Sequence, residues 1–157
     1  VLSRVSHGEL RRERVDLSGV ARDILAALQR EAPERTVAWE VEPGLVATGD
    51  PRLLGSVLEN LLGNAWKYTA AAVSPRIEFG VREEGGEKVF FVRDNGAGFD
   101  MKDAGRLFRA FSRLHPDGEF AGTGVGLATV RQIVQRHGGR VWAEGEPGKG
   151  ATFFFTL

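Results

Sequence analysis

The sequence predicts a two-layer α/β sandwich, a mixed and mostly antiparallel sheet with three helices on one face. Two observations carry this. The hydrophobic period switches repeatedly between helical and strand spacing, in the order α-β-(β)-α-β-β-loop-α-β-β. And 157 residues are enough for one domain with one sizeable core, so these elements must share it.

Residues 1–15 are polar, with the run Glu9 to Arg14 and a sparse helical pattern at Leu2, Val5 and Leu10. They read as the tail of an upstream helix plus a linker, and the domain proper as 16–157. Asp16 caps a helix with the apolar stripe Leu17, Val20, Ala21, Ile24, Leu25 and Leu28, and Pro33 stops it. Thr36 to Glu42 alternates as a strand, Pro43-Gly44 turns, and Leu45 to Thr48 forms a short strand. A second helix runs from Pro51 to about Thr69, with Asp50 as cap and Pro51 at the first helical position, where a missing N–H costs nothing. Leu54, Val57, Leu58, Leu61, Leu62 and Ala65 are its core face.

Arg76 to Arg82 and Lys88 to Arg93 are strands joined by a hairpin at Gly85-Gly86. Residues 95–122 form a long glycine-studded loop with helical turns around Leu107 to Phe111; a loop of that length is usually functional. Thr123 caps a third helix, Val125 to Arg136, which ends at Gly138-Gly139. Arg140 to Glu144 and Ala151 to Leu157 close the sheet around the turn Pro147-Gly148.

Composition narrows the function classes. Hydrophobic residues make up 42% and charged residues 27%, as in ordinary globular proteins. Lys plus Arg equals Asp plus Glu at 21 each, which argues against nucleic acid or an anionic membrane as the main partner. The absence of cysteine excludes disulfides, thiolate zinc sites and cysteine nucleophiles, and it fits a reducing, cytoplasmic setting. No apolar run has membrane-spanning length and no signal peptide opens the chain. The start at Val1 reads as the start of a piece of something longer. His7, His115 and His137 share no metal-ligand spacing and read as surface residues.

Three stretches carry chemistry. On the second helix, at about 100° per residue, Asn60, Asn64 and Lys67 fall on one narrow polar stripe. Two amides and an ammonium there suit a metal ion and phosphates, against the plainer reading of a solvated face. Asp94-Asn95-Gly96-Ala97-Gly98-Phe99 follows an apolar strand, so Asp94 sits at a buried edge and needs donors. An adenine amine is one, and Gly96 and Gly98 let a flat base approach; the competing reading is a plain hairpin. Gly122-Thr123-Gly124-Val125-Gly126-Leu127 opens a helix, where backbone N–H groups favour phosphate. Leu127 breaks Gly-x-Gly-x-x-Gly, which weakens the Rossmann and protein-kinase readings. Gly148-Lys149-Gly150 lacks the P-loop context and reads as a tight turn.

In order, Asn60-x-x-x-Asn64-x-x-Lys67-Tyr68, Asp94-x-Gly96-x-Gly98, Leu107-Phe108-x-x-Phe111 and Gly122-Thr123-Gly124-x-Gly126-Leu127 resemble the N, first glycine, F and second glycine boxes of sensor histidine kinases. The resemblance covers roughly 16–157. It implies the Bergerat ATP-binding fold, shared with gyrase, chaperone and mismatch-repair ATPases, and the cofactors ATP and Mg²⁺. It implies that Asn64 binds Mg²⁺ with Asn60 beside it, and that Lys67 and Tyr68 contact phosphates or a lid. Asp94 takes the adenine amine, with Gly96, Gly98, Phe99, Leu107 and Phe108 around the nucleotide. The backbone of Gly122, Thr123, Gly124, Val125, Gly126 and Leu127 cradles the phosphates, and Thr152 lies near the adenine. Residues 99–121 are the ATP lid. Mg²⁺ keeps water and phosphate ligands, so one or two amide oxygens suffice.

The resemblance also implies partners. One is the protein's own histidine-bearing dimerisation domain, whose last helix would end in residues 1–15; another is a response-regulator receiver domain. The full protein would be a homodimer. His7 does not read as the acceptor, because Gly8 interrupts the His-Glu step. Two other readings stand beside the kinase: a gyrase- or chaperone-type ATPase, and a nucleotide-binding module without kinase activity. The ATPase needs a carboxylate to activate water, yet an amide, Asn60, holds that position, and Glu59 is rotated by about 100° from it.

Overall fold

The computed structural model describes residues 10–109 and 126–157. His7, Phe111, His115, the segment 110–121 of the expected lid and the turn Gly122 to Val125 lie outside them.

The first element falls where the sequence predicts a helix tail and linker. Glu13–Asp16 is a strand, β1, paired antiparallel with β3 (Val46–Gly49) in a separate two-stranded ribbon. Only Val15 of β1 is buried, so the four residues carry no alternation strong enough to read. Helix α1 (Leu17–Glu31) follows at once; the Asp16 side chain caps it by accepting from Gly19 N–H at 3.0 Å. Strand β2 is Ala38–Val41.

Helix α2 (Pro51–Tyr68) begins and ends where its caps require. The Asp50 carboxylate accepts from Arg52 and Leu53 N–H, and Pro51 fills the first position. A cap of this kind contributes about 1 kcal/mol. At the far end Thr69 and Arg35 take the loose carbonyls. Arg35 donates to Trp66 O at 2.6 Å and to Thr69 Oγ1 at 3.1 Å, and its guanidinium lies 4.7 Å from the Trp66 ring centre. Leu54, Val57, Leu58, Leu61, Leu62 and Ala65 are buried, as the apolar stripe predicts.

Strands β4 (Arg76–Glu84) and β5 (Glu87–Asp94) form the hairpin, with Gly85 at φ +59° and Gly86 at φ +82° in its turn. This left-handed pair is what a two-residue hairpin turn needs. Helix α3 is Gly126–Arg136, and β6 (Val141–Glu146) and β7 (Gly150–Phe155) complete the sheet. The five-stranded order is β2-β4-β5-β7-β6, with β2 parallel to β4 and the other pairs antiparallel. This is the mixed, mostly antiparallel sheet expected. Ile77, Phe79, Phe90, Val92, Phe153 and Phe155 face the helices and join their apolar stripes in one core.

Within the long loop a 3₁₀ segment covers Met101–Arg106, started by the Asp100 side chain on Lys102 N–H at 3.1 Å. Turn hydrogen bonds continue it to Arg109, and the rest of the turns expected around Leu107 to Phe111 lies outside the described residues.

Candidate functional site

The site lies where α2 and β5 end and α3 begins. Asp94 is the last residue of β5 and is 5% exposed. Its Oδ1 accepts from Gly96 N–H at 2.8 Å, and the Ala151 N–H of β7 also donates to the carboxylate. Burial pushes the Asp94 carboxyl up to about 6, and these two N–H groups pull it back only in part. Its remaining acceptor capacity suits an incoming donor such as an amino group on a flat base.

The loop after Asp94 is fixed by close backbone approaches. Ala97 N–H donates to Tyr68 O at 2.9 Å, which ties the loop to the C-terminus of α2. A side chain at Gly96 would collide with that same carbonyl. Gly98, at φ +67°, would put a side chain into the carbonyls of Glu146 and Gly150. Asn95 staples the loop to β4 by accepting from Arg76 N–H and donating to Ser74 O, both at 2.8 Å. Tyr68 stands close enough that burial, and then the Asp94 charge, raise its hydroxyl pKa.

Asn60, Asn64 and Lys67 are half-buried on α2, while Glu59 is exposed. The Asn60 amide nitrogen donates to Ser56 O at 2.8 Å, so its oxygen points away from its own helix. That oxygen sits against Gly126, the first residue of α3, in the space a side chain there would fill. The structure thus brings the amide stripe and the start of the glycine-turn helix together.

The remaining expected residues sort differently. Phe99 and Leu107 are each 4% exposed, and Phe99 packs 6.4 Å from the Phe153 ring beneath Gly145. Phe108 meets Phe153 edge-on at 6.2 Å. These aromatics anchor the loop in the core. Leu127 is buried behind Gly126. Thr152 is a correction: it pairs with Arg93 and Glu144, so strand alternation turns it to the face opposite Ala151 and Asp94. The neighbour of Asp94 across the ladder is Ala151. His137 is a second correction, because it is buried at 6% exposure instead of lying on the surface. A histidine after a helix end carries no burial signal of its own. The backbone groups of Tyr68 and Ala151 were also invisible to residue-type reasoning.

Among the described residues no helix is long and apolar enough to cross a membrane. Residues 49–157 match the family described as histidine kinase-, DNA gyrase B-, and HSP90-like ATPase. The methanogenesis regulatory histidine kinase FilI of Methanothrix harundinacea is 47% identical over 118 residues, which is 71% of this chain and 13% of that protein. The sensor histidine kinase WalK of Bacillus subtilis is 33% identical over 130 residues, 82% of this chain and 20% of that protein. This chain therefore spans a fifth or less of the length of these two relatives. Among solved structures, full-length ShkA in complex with AMPPNP is 31% identical with a TM-score of 0.78, over 98% of this chain and 33% of that one. The mycobacterial sensor histidine kinase MprB is 26% identical with a TM-score of 0.74, over 93% and 97%. By its match over most of its length, the chain belongs to the family of histidine kinase-, gyrase B- and HSP90-like ATPases, and the relatives it resembles are sensor histidine kinases.

Proposed function

We propose that this chain is the ATP-binding catalytic part of a sensor histidine kinase, which holds Mg-ATP and hands its γ-phosphate to a histidine on a separate dimerisation domain. ATP binding is the common property of the family to which it belongs. The observation that carries the kinase reading over the ATPase reading is Asn60. The side chain facing the start of α3 is an amide, and the carboxylate next to it in sequence, Glu59, is exposed. An amide cannot take a proton from water, so the geometry favours transfer to a nucleophile supplied from outside.

The donor set fits a magnesium ion. Asn60 offers an oriented oxygen, Asn64 lies one helical turn on, and a small hard cation needs few protein oxygens when phosphates supply the rest. Bound there, the ion would neutralise charge on the transferring phosphoryl group. Asp94 would accept the adenine amine, aided by Gly96, Gly98 and the Ala151 backbone. Lys67 and Tyr68 close the α2 end of the site, and the backbone of Gly122 to Leu127 would take the phosphates. Phe99, Leu107 and Phe108 root the lid, residues 99–121, in the core. Residues from strand β1 (Glu13–Asp16) to 157 form this catalytic unit, three residues more than the expected 16–157, and the residues before β1 lead from the histidine-bearing domain. The phosphorylated histidine would pass its group to a response-regulator receiver domain, and the whole protein would act as a homodimer inside the cell.

Calorimetry with ATP, with and without Mg²⁺, tests the reading. The chain should bind ATP more tightly with Mg²⁺, and Asn64→Ala should abolish that gain. An unaltered Mg²⁺ dependence in Asn64→Ala removes Asn64 from the site.

A further inference from the structure

Helix α3 (Gly126–Arg136) touches α2 at both of its own ends. At one end the Asn60 amide oxygen fits against Gly126. At the other, His137, just past the end of α3, receives a hydrogen bond at Nε2 from the Asp50 N–H at 3.1 Å. Its Nδ1 lies 2.8 Å from Ile133 O and can only donate to it, which makes the ring the neutral Nδ1–H tautomer. The ring is fitted closely, since a side chain on Gly49 would stand 2.8 Å from His137 Cδ2. Asp50 is 3% exposed, and its carboxylate also takes Arg11 N–H at 3.1 Å, so the entering chain ends on the same residue.

The spans agree. Asp50 to Asn60 is about 15 Å of helix and Gly126 to His137 about 16 Å, at 1.5 Å per residue. The two helices therefore run antiparallel between two fixed contacts. A change of about 5° in their crossing angle at the Asp50 end would move the Asn60–Gly126 end by more than about 1 Å. A misplacement of that size is enough to break the alignment of groups that must act together, and can cost about a hundredfold in rate.

We propose that the Asp50–His137 hydrogen bond is a positioning joint that sets the spacing of the amide stripe against the glycine-turn helix, and with it the affinity for metal-bound triphosphate. This rests on the nucleotide reading above. The adenine end is anchored separately, through Asp94, Ala151 and the Tyr68 carbonyl, and none of these belongs to α3. The joint should consequently act on the phosphate end alone.

The test is calorimetry on this chain with Mg-ATP and with adenosine, which has no phosphate, alongside melting temperatures. His137→Phe keeps the ring volume but leaves the buried Asp50 N–H without an acceptor. It should weaken Mg-ATP by about tenfold to a hundredfold, the scale of losing a hydrogen bond to a charged group, and adenosine by less than about twofold. His137→Gln, which returns an acceptor oxygen near the Nε2 position, should recover most of the loss. The joint is overturned if folded His137→Phe binds Mg-ATP as the unsubstituted chain does, if both ligands weaken in parallel, or if Gln does no better than Phe. Should His137→Phe fail to fold, nitrogen NMR of the unsubstituted chain decides: an Nε2–H tautomer or a charged ring at His137 refutes the joint, and a bare Nε2 supports it. A chain that shows the bare Nε2 yet binds no Mg-ATP would instead overturn the nucleotide reading.

Discussion

The amide oxygen of Asn60 occupies the space beside Gly126 in which any side chain at 126 would begin. Alanine is a better helix former than glycine, with a gain at this first helical position below the ~1 kcal/mol of a helix interior. It would also force Asn60 away from the start of α3. Gly126→Ala should thus leave the melting temperature unchanged or raised while Mg-ATP affinity falls by about tenfold. Paired calorimetry and thermal melts check this, and retained affinity would mean that the Asn60–Gly126 contact is incidental.

Asp94 predicts a pH dependence with a definite sign. Its folded pKa is raised from 3.8 to about 6 by burial, against the Gly96 and Ala151 N–H groups. A raised value means that the folded chain holds the proton more tightly than the unfolded one. The stabilisation is therefore complete below about pH 4 and is lost as pH rises through about 6. The amount is on the order of 3 kcal/mol for two pH units. Asp94→Asn should accordingly stabilise the nucleotide-free chain at pH 7.5, and the advantage should fade toward pH 4, as urea denaturation can show.

The same carboxylate predicts nucleotide choice. Adenine presents an amine where guanine presents a carbonyl. The ionised Asp94 accepts from the first and repels the second, a difference of about 1–3 kcal/mol or more. ATP should bind tenfold or more tightly than GTP at pH 7.5, with ATP affinity declining below pH 6. If Asp94→Ala discriminates between the two nucleotides as well as the parent, the base lies elsewhere.

Glycines divide by what surrounds them. A side chain at Gly96 meets the Tyr68 carbonyl, whereas at Gly55, inside α2, nothing lies within 4 Å. Gly96→Ala should cost about 2 kcal/mol or more and loosen the loop from α2. Gly55→Ala should add about 0.5–1 kcal/mol through helix propensity. Denaturation midpoints of the two variants should move in opposite directions.

Much of this was legible in the residues, and what was not has physical causes. Asp50-Pro51 and the apolar stripe of α2 announce a helix because capping and burial are written in side-chain types. Asp94 was legible because a carboxylate closing an apolar strand must find donors. Strand β1 was not, because pairing with β3 through backbone alone leaves only Val15 to signal it. Thr152 was assigned to the wrong side because the register of β7 against β5, which decides its face, is a tertiary fact. His137 was read as exposed because its partner, the Asp50 N–H, lies 87 residues away and is backbone.

On the proposed function, this chain presents phosphate to a histidine it does not itself supply. Among the described residues its histidine is His137, engaged at both ring nitrogens at the far end of α3, about 16 Å from Gly126. The direct measurement is incubation with γ-labelled ATP and Mg²⁺, alone and then with a histidine-bearing helical hairpin from the parent kinase at high concentration. The expected result is no stable label on residues 1–157, slow phosphate release, and acid-labile label on the hairpin that requires Asn64. Label mapped to a residue within 1–157, or rapid phosphate release with an unlabelled hairpin, would contradict it.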